Sequence, residues 1–174
     1  MSKQLSHSET SFQEKKFRII LLLDNVTGDA NMGSLFRLAD AFGIEKIIFT
    51  GTRPNLSSNR LTRTARNTHK QVSFEFYEEA IEAIEKYQNS GYTCLGLEIT
   101  STSRPIQEIS ETVIDRLLLI AGNERHGISE EVLSRCERNF HIEMFGENSS
   151  MNVAQSVGIA LYEITKVLNK FHKK

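Results

Sequence analysis

Two short, unbroken apolar runs constrain this chain most: Arg18-Ile-Ile-Leu-Leu-Leu23 and Arg116-Leu-Leu-Leu-Ile-Ala121. A strand with one wet face alternates apolar and polar residues. A run with no alternation suits a strand covered on both faces, as in a parallel sheet between two layers of helix. The remaining pattern agrees. Strands are expected at Lys46–Thr50, Val72–Phe76, Tyr92–Ile99 and Asn139–Met144. A helix from Gly33 to Phe42 has Leu35, Leu38, Ala39 and Phe42 at helical spacing and closes at Gly43. An acidic amphipathic helix follows at Glu78–Gln88, and a shorter one is capped by Ser129 and runs to Arg135. The last helix starts after Ser149-Ser150, with Val153, Val157, Ala160, Leu161, Ile164, Leu168 and Phe171 on one stripe. Gly51 to Gln71 reads as a polar loop. Short apolar strands alternating with helices predict an α/β fold, a mostly parallel sheet flanked by helices. Residues 1–17 read as a polar, flexible arm and 18–174 as a single domain.

Charge limits the partners. With 21 Lys+Arg against 22 Asp+Glu the net charge is -1, so any nucleic-acid surface must be local. Arg53, Arg60, Arg63, Arg66 and Lys70 cluster in the polar stretch, and Lys166, Lys170, His172, Lys173 and Lys174 near the C-terminus. Cys94 and Cys136 form no CxxC and His126 has no spaced partner, so no metal is expected. No apolar run approaches the roughly 20 residues of a membrane span. Met1 to Lys16 lacks a signal-peptide core, and the expected location is the cytoplasm.

Three segments carry residues unusual for loops at strand ends. In Asn31-Met-Gly33-Ser-Leu-Phe-Arg37, a helix start and an arginine could converge on an anion such as RNA phosphate. The plainer alternative is a capping Asn31, a packing glycine and an Arg37 paired with Asp40. In Gly122-Asn123-Glu124, a glycine ending a buried strand permits close approach of a ligand, or simply makes a turn. In Ser149-Ser150-Met151-Asn152, a hydroxyl and a carboxamide could orient a nucleotide or cofactor group, or only cap a helix. None is a dinucleotide fingerprint, a P-loop or a nucleophile elbow.

Together and in order, these segments resemble the signature motifs of the SpoU (TrmH-like) RNA methyltransferases of the SPOUT class. The first matches through Asn31, Gly33, Arg37, Ala39, Phe42 and Gly43; the second through Gly122, Asn123, Glu124, Gly127 and Ile128. The third matches through Ile142, Met144, Ser150, Met151, Asn152, Val153, Gly158, Ile159, Leu161, Tyr162 and Glu163. Glu143 stands where the family usually has proline.

The resemblance implies a C-terminal deep trefoil knot that holds S-adenosylmethionine. It implies transfer of a methyl group to a ribose 2′-hydroxyl of RNA, with tRNA preferred over rRNA and a non-catalytic RNA-binding relative as the other reading. The catalytic set it implies is Arg37, Asn31, Glu124, Ser150 and Asn152. The cofactor set is Leu97, Glu98, Gly122, Asn123, Ile142, Met144, Ser150, Met151 and Asn152. Arg37, Arg53, Arg60, Arg63, Arg66 and Lys70 would meet RNA. A homodimer packed through the last helix is also implied.

Overall fold

The computed structural model describes residues 2–6, 9, 10, 12–109 and 115–171. Seven strands form one sheet: β1 (Phe17–Asp24), β2 (Ile44–Thr50), β3 (Phe74–Tyr77), β4 (Thr93–Leu97), β5 (Arg104–Pro105), β6 (Leu117–Gly122) and β7 (Arg138–His141). Their order is β3-β2-β1-β6-β4-β7-β5, and every registered pairing is parallel. The helices are α1 (Asp29–Ala41), α2 (Asn59–Ala65), α3 (Ala80–Asn89), α4 (Glu130–Arg135) and α5 (Val153–Phe171).

The unbroken apolar runs become the central strands, and they feed two cores. Ile19, Leu21 and Leu23 of β1, with Leu117, Leu119 and Ala121 of β6, face the core built with α1, α2 and α5. Ile20 and Leu22, with Leu118 and Ile120, face the core built with α3 and α4. The strand period of two thus makes both sets of side chains apolar, which is why no alternation is visible. No described helix is long and apolar enough to cross a membrane.

Three expectations need correction. The polar stretch 51–71 is not all loop. Ser58 Oγ accepts from the Leu61 amide and starts α2, whose Leu61 and Ala65 are buried; a 3-10 turn follows at Thr68–Lys70. The buried face of α1 is Met32, Leu35, Phe36 and Ala39, while Leu38 and Phe42 are only partly covered. Finally, β4 stops at Leu97 and β7 at His141, short of Ile99 and Met144. The outer strand β5 pairs only with Phe140 and His141, so β7 has no ladder partner beyond them.

One polar hub ties the edge of the sheet to α3. Glu75 on β3 accepts from Lys46 Nζ (2.8 Å), Lys86 Nζ (3.0 Å), and the hydroxyls of Tyr77 and Tyr87 (both 2.8 Å). Partial burial works to raise its pKa, but these four donors outweigh it and hold the carboxyl at about 2. A carboxyl held down in the folded state stabilises above its unfolded pKa and loses that contribution as pH falls toward the folded value. Glu75→Gln is therefore expected to lower stability at pH 7 by about 1–2 kcal/mol. In urea titrations the gap to wild type should close between roughly pH 4.5 and pH 2.

Candidate functional site

The strand order reverses direction between β1 and β6, and in open parallel sheets ligands bind beyond the carboxyl ends at such a point. Asp24 ends β1 and is paired with Gly122, which ends β6. The loop leaving β6 is fastened by carboxylates. Asp24 Oδ2 accepts from both the amide and the hydroxyl of Ser129, each at 2.9 Å. Ser129 occupies the N-cap position of α4, as its sequence suggests, but its hydroxyl serves Asp24 instead of the helix. Glu98 Oε2 accepts from the Ile128 amide at 3.1 Å. Gly127 has φ +68°, and a Cβ there would strike that same Glu98 oxygen. A Cβ on Gly122 would strike the backbone of Gly127 and Ile128, so the strand end and the returning loop touch only because residue 122 is glycine. Asn123 braces the turn, its Oδ1 accepting from the Arg125 and His126 amides and its Nδ2 donating to the Asn25 carbonyl.

A line of hydrogen bonds joins the three motif segments. Asn152 Oδ1 accepts from the Ala154 and Gln155 amides and caps α5. Its Nδ2 donates to Asn31 Oδ1 (2.9 Å), and Asn31 Nδ2 donates to Glu124 Oε1 (2.9 Å). Glu124 also accepts from the Gly28 amide (3.1 Å) and the Thr27 amide (3.3 Å). Only one orientation of each amide satisfies this line, because helix amides at one end and a carboxylate at the other fix the donors. Partial burial acts to raise the Glu124 pKa; the donations from Asn31 and the backbone prevail and hold it below the usual carboxylate value. Asn31 lies inside α1 rather than at its cap, which is Gly28, and Asn152 rather than Ser149 or Ser150 caps α5.

Two hollows meet at this line. The first is a cavity of about 690 Å³. All nine residues expected around a cofactor line it: Leu97, Glu98, Gly122, Asn123, Ile142, Met144, Ser150, Met151 and Asn152. Its walls are the segments left free where β4 and β7 stop early, the loop after β6 and the start of α5. Thr100 and His141 also line it, the latter with Nδ1 2.9 Å from Ser103 Oγ. A lone histidine at a strand end has no spacing signal, and sequence reading passed it over. Glu143 is exposed and lines a shallower recess beside the cavity.

The second hollow is a groove between α1, α2 and α5, lined by Asn31, Arg37, Arg63, Arg66, Asn152 and Tyr162 among others. Met151 and Asn152 line both hollows. Arg37 thus faces the groove and not the cavity. It is exposed, and among the described residues no carboxylate pairs with it, Asp40 included. Gly33 brings α2 to it: a Cβ there would strike Thr64 Oγ1 and the Leu61 carbonyl.

The other cations expected to meet RNA do not converge. Arg53 lies over the Phe76 ring at 4.2 Å, and Arg60 and Lys70 are exposed outside the groove. Lys166 pairs with Glu163 at 2.9 Å. The side chain of Lys170 and residues 172–174 lie outside the described residues.

The polar line predicts the effect of one substitution. Asn31→Asp sets a second carboxylate against Glu124 and removes the donor between them. Because Glu124 is exposed and solvent screens the repulsion, the variant is expected to lose about 0.5–1.5 kcal/mol at pH 7 and above. Because like charges raise the pair's folded-state pKa, the loss should shrink as pH falls below about 5. Thermal midpoints of both proteins across pH 4–8 check this.

The SpoU rRNA Methylase family model matches residues 18–162. The tRNA (guanosine(18)-2'-O)-methyltransferase of Aquifex aeolicus is 24% identical over 166 residues, 94% of this chain and 76% of that one. The crystal structure of the A. aeolicus TrmH/SpoU tRNA modifying enzyme superposes with a TM-score of 0.82, covering 91% of this chain and 80% of that one, at 24% identity. The SpoU methyltransferase AviRb of Streptomyces viridochromogenes, solved with AdoMet, superposes at 0.74 with 22% identity; this chain spans 61% of it. A structure described by 2-OH methylation of C/U34 on tRNA superposes at 0.76 with 26% identity, over 87% of this chain and 97% of that one. With the family's motif residues gathered at one end of a sheet of matching architecture, the chain belongs to the SpoU methylase family.

Proposed function

We propose that this protein is an S-adenosylmethionine-dependent RNA methyltransferase acting on a ribose 2′-hydroxyl, with tRNA as the substrate. The observation that carries the reading is the meeting of a nucleoside-sized cavity and a cationic groove at Asn152. The cavity suits an adenosyl group. Leu97, Ala121, Ile128 and Leu133 give it apolar walls, Gly122 and Gly127 keep backbone bare, and Glu98, Asn123 and Ser150 supply polar groups. Leu97, Glu98, Gly122, Asn123, Ile142, Met144, Ser150, Met151 and Asn152 would hold the cofactor. Bound S-adenosylmethionine supplies the methyl group that passes to the ribose 2′-oxygen.

The chain's own part is positioning. Asn31 and Glu124 fix the Asn152 carboxamide, and Asn152 and Ser150 orient what lies between the two hollows. Alignment of this kind can supply several kcal/mol of a barrier. Arg37 is read as a charged clamp on the RNA, because guanidinium groups stay protonated in proteins and this one has no carboxylate partner among the described residues. It would stabilise the negative charge that develops on the 2′-oxygen as the hydroxyl proton passes to solvent water, and Arg63 and Arg66 would hold flanking phosphates. Arg53, Arg60 and Lys70 are left as peripheral contacts.

A second copy of this chain is the proposed cover for the apolar part of the groove. Ile159 is 38% and Tyr162 58% exposed there, beside Leu38 and Phe42, and sedimentation should read a dimer. The segment 142–152, which returns from β7 to α5, is read as the crossing of a deep trefoil knot. Likeness to TrmH/SpoU architecture supports that reading. Likeness to the tRNA (guanosine(18)-2'-O)-methyltransferase of A. aeolicus and to the structure described by methylation of C/U34 on tRNA supports tRNA over rRNA. A cytoplasmic location is part of this proposal.

The test is transfer of labelled methyl from S-adenosylmethionine to separated tRNA and rRNA from cells lacking the protein. Label is expected in a 2′-O-methyl nucleoside of tRNA. Arg37→Ala should reduce the rate about a hundredfold or more, and Arg37→Lys should recover only part of it. Label in a base would overturn the ribose assignment, label confined to rRNA the tRNA assignment, and no transfer together with no cofactor binding would favour a non-catalytic RNA-binding relative.

A further inference from the structure

Two carboxylates line the cavity, and their acceptor sites are differently engaged. A carboxylate offers about four lone-pair positions. Glu124 has little left: Oε1 takes Asn31 Nδ2 and the Gly28 amide, and Oε2 takes the Thr27 amide. Glu98 takes one donor on each oxygen, the Ile99 amide on Oε1 at 3.0 Å and the Ile128 amide on Oε2 at 3.1 Å. No cation pairs with Glu98 among the described residues. It is half-buried against Gly127, whose bare backbone and positive φ let the carboxylate sit in the wall. With one donor on each oxygen, the carboxyl group keeps acceptor capacity on both, and Glu98 lines the cavity.

We infer that Glu98 accepts the two ribose hydroxyls of the cofactor. This rests on the S-adenosylmethionine reading above. A vicinal diol carries two adjacent O–H donors, one for each carboxylate oxygen, and hydrogen bonds to an ionised acceptor are the stronger kind. The other donors of such a cofactor fit less well. The adenine amino group has no second donor a ribose-width away. The ammonium lies beside the cofactor's own carboxylate, which Glu98 would repel. Glu98 thereby selects a ribonucleoside over a deoxyribonucleoside and also pins the 122–128 loop through Ile128.

Calorimetry on the full chain separates the two roles. The ligands are S-adenosylhomocysteine and its 2′,3′-dideoxy analogue. Wild type is expected to bind the parent about tenfold or more tighter than the analogue. In Glu98→Ala the two ligands should bind alike, and Glu98→Gln, which keeps the side-chain shape, should narrow the gap. A purely structural Glu98 would weaken both ligands equally and leave their ratio unchanged in either variant, which overturns the inference. Equal binding of both ligands by wild type overturns it as well. Failure of wild type to bind either ligand overturns the cofactor reading itself.

Discussion

The site depends on the hydrogen-bond line from the α5 cap through Asn152 and Asn31 to Glu124. Each member uses its donors and acceptors in one direction, and each belongs to a different part of the chain: the start of α5, the first turn of α1 and the loop after β6. A satisfied polar network is stronger than its separate bonds suggest and tolerates few alternatives. It joins the cavity to the Arg37 groove, because Asn152 is a wall of both. Asp24 and Glu98 do the same for the β6 loop, each accepting from its backbone. Acidic side chains in this site therefore act first as anchors for backbone amides.

The glycines of the motifs work with those anchors. Gly122 and Gly127 let the loop fold onto the strand end and onto Glu98, and Gly33 lets α2 pack on α1. The last contact is remote from the cavity, yet it decides where Arg63 and Arg66 stand. Motif positions that touch no ligand can thus be required for the shape of the site. The reading of Gly33 as a packing residue, one of two the sequence allowed, is the one the structure supports.

The α/β architecture was legible because the central strands are buried on both sides, which leaves unbroken apolar runs. Seven of the nine residues expected around a cofactor stand in the second and third motifs and Leu97 and Glu98 came only with the family resemblance; all nine line one cavity. Other features were hidden for physical reasons. α2 is only seven residues long and shows two apolar positions among arginines and threonines, too little periodicity to stand out. The early end of β7 coincides with a two-residue partner strand, which no local pattern encodes. The basic residues of the 51–71 stretch looked like one patch, but α2 and the turn after it send only Arg63 and Arg66 to the groove. His141 and its Ser103 partner are 38 positions apart and meet only in the fold.

The Asn152–Asn31–Glu124 line holds the proposed cofactor cavity, walled by the second and third motif segments, against the Arg37 groove of the first. A crystal structure of the protein with S-adenosylhomocysteine tests this most directly. The ligand is expected between Leu97, Gly122 and the 142–152 segment, with Asn152 between it and the Arg37 groove and the polar line intact. A ligand bound elsewhere, or bound in the cavity with Asn152 released from Asn31, would contradict it.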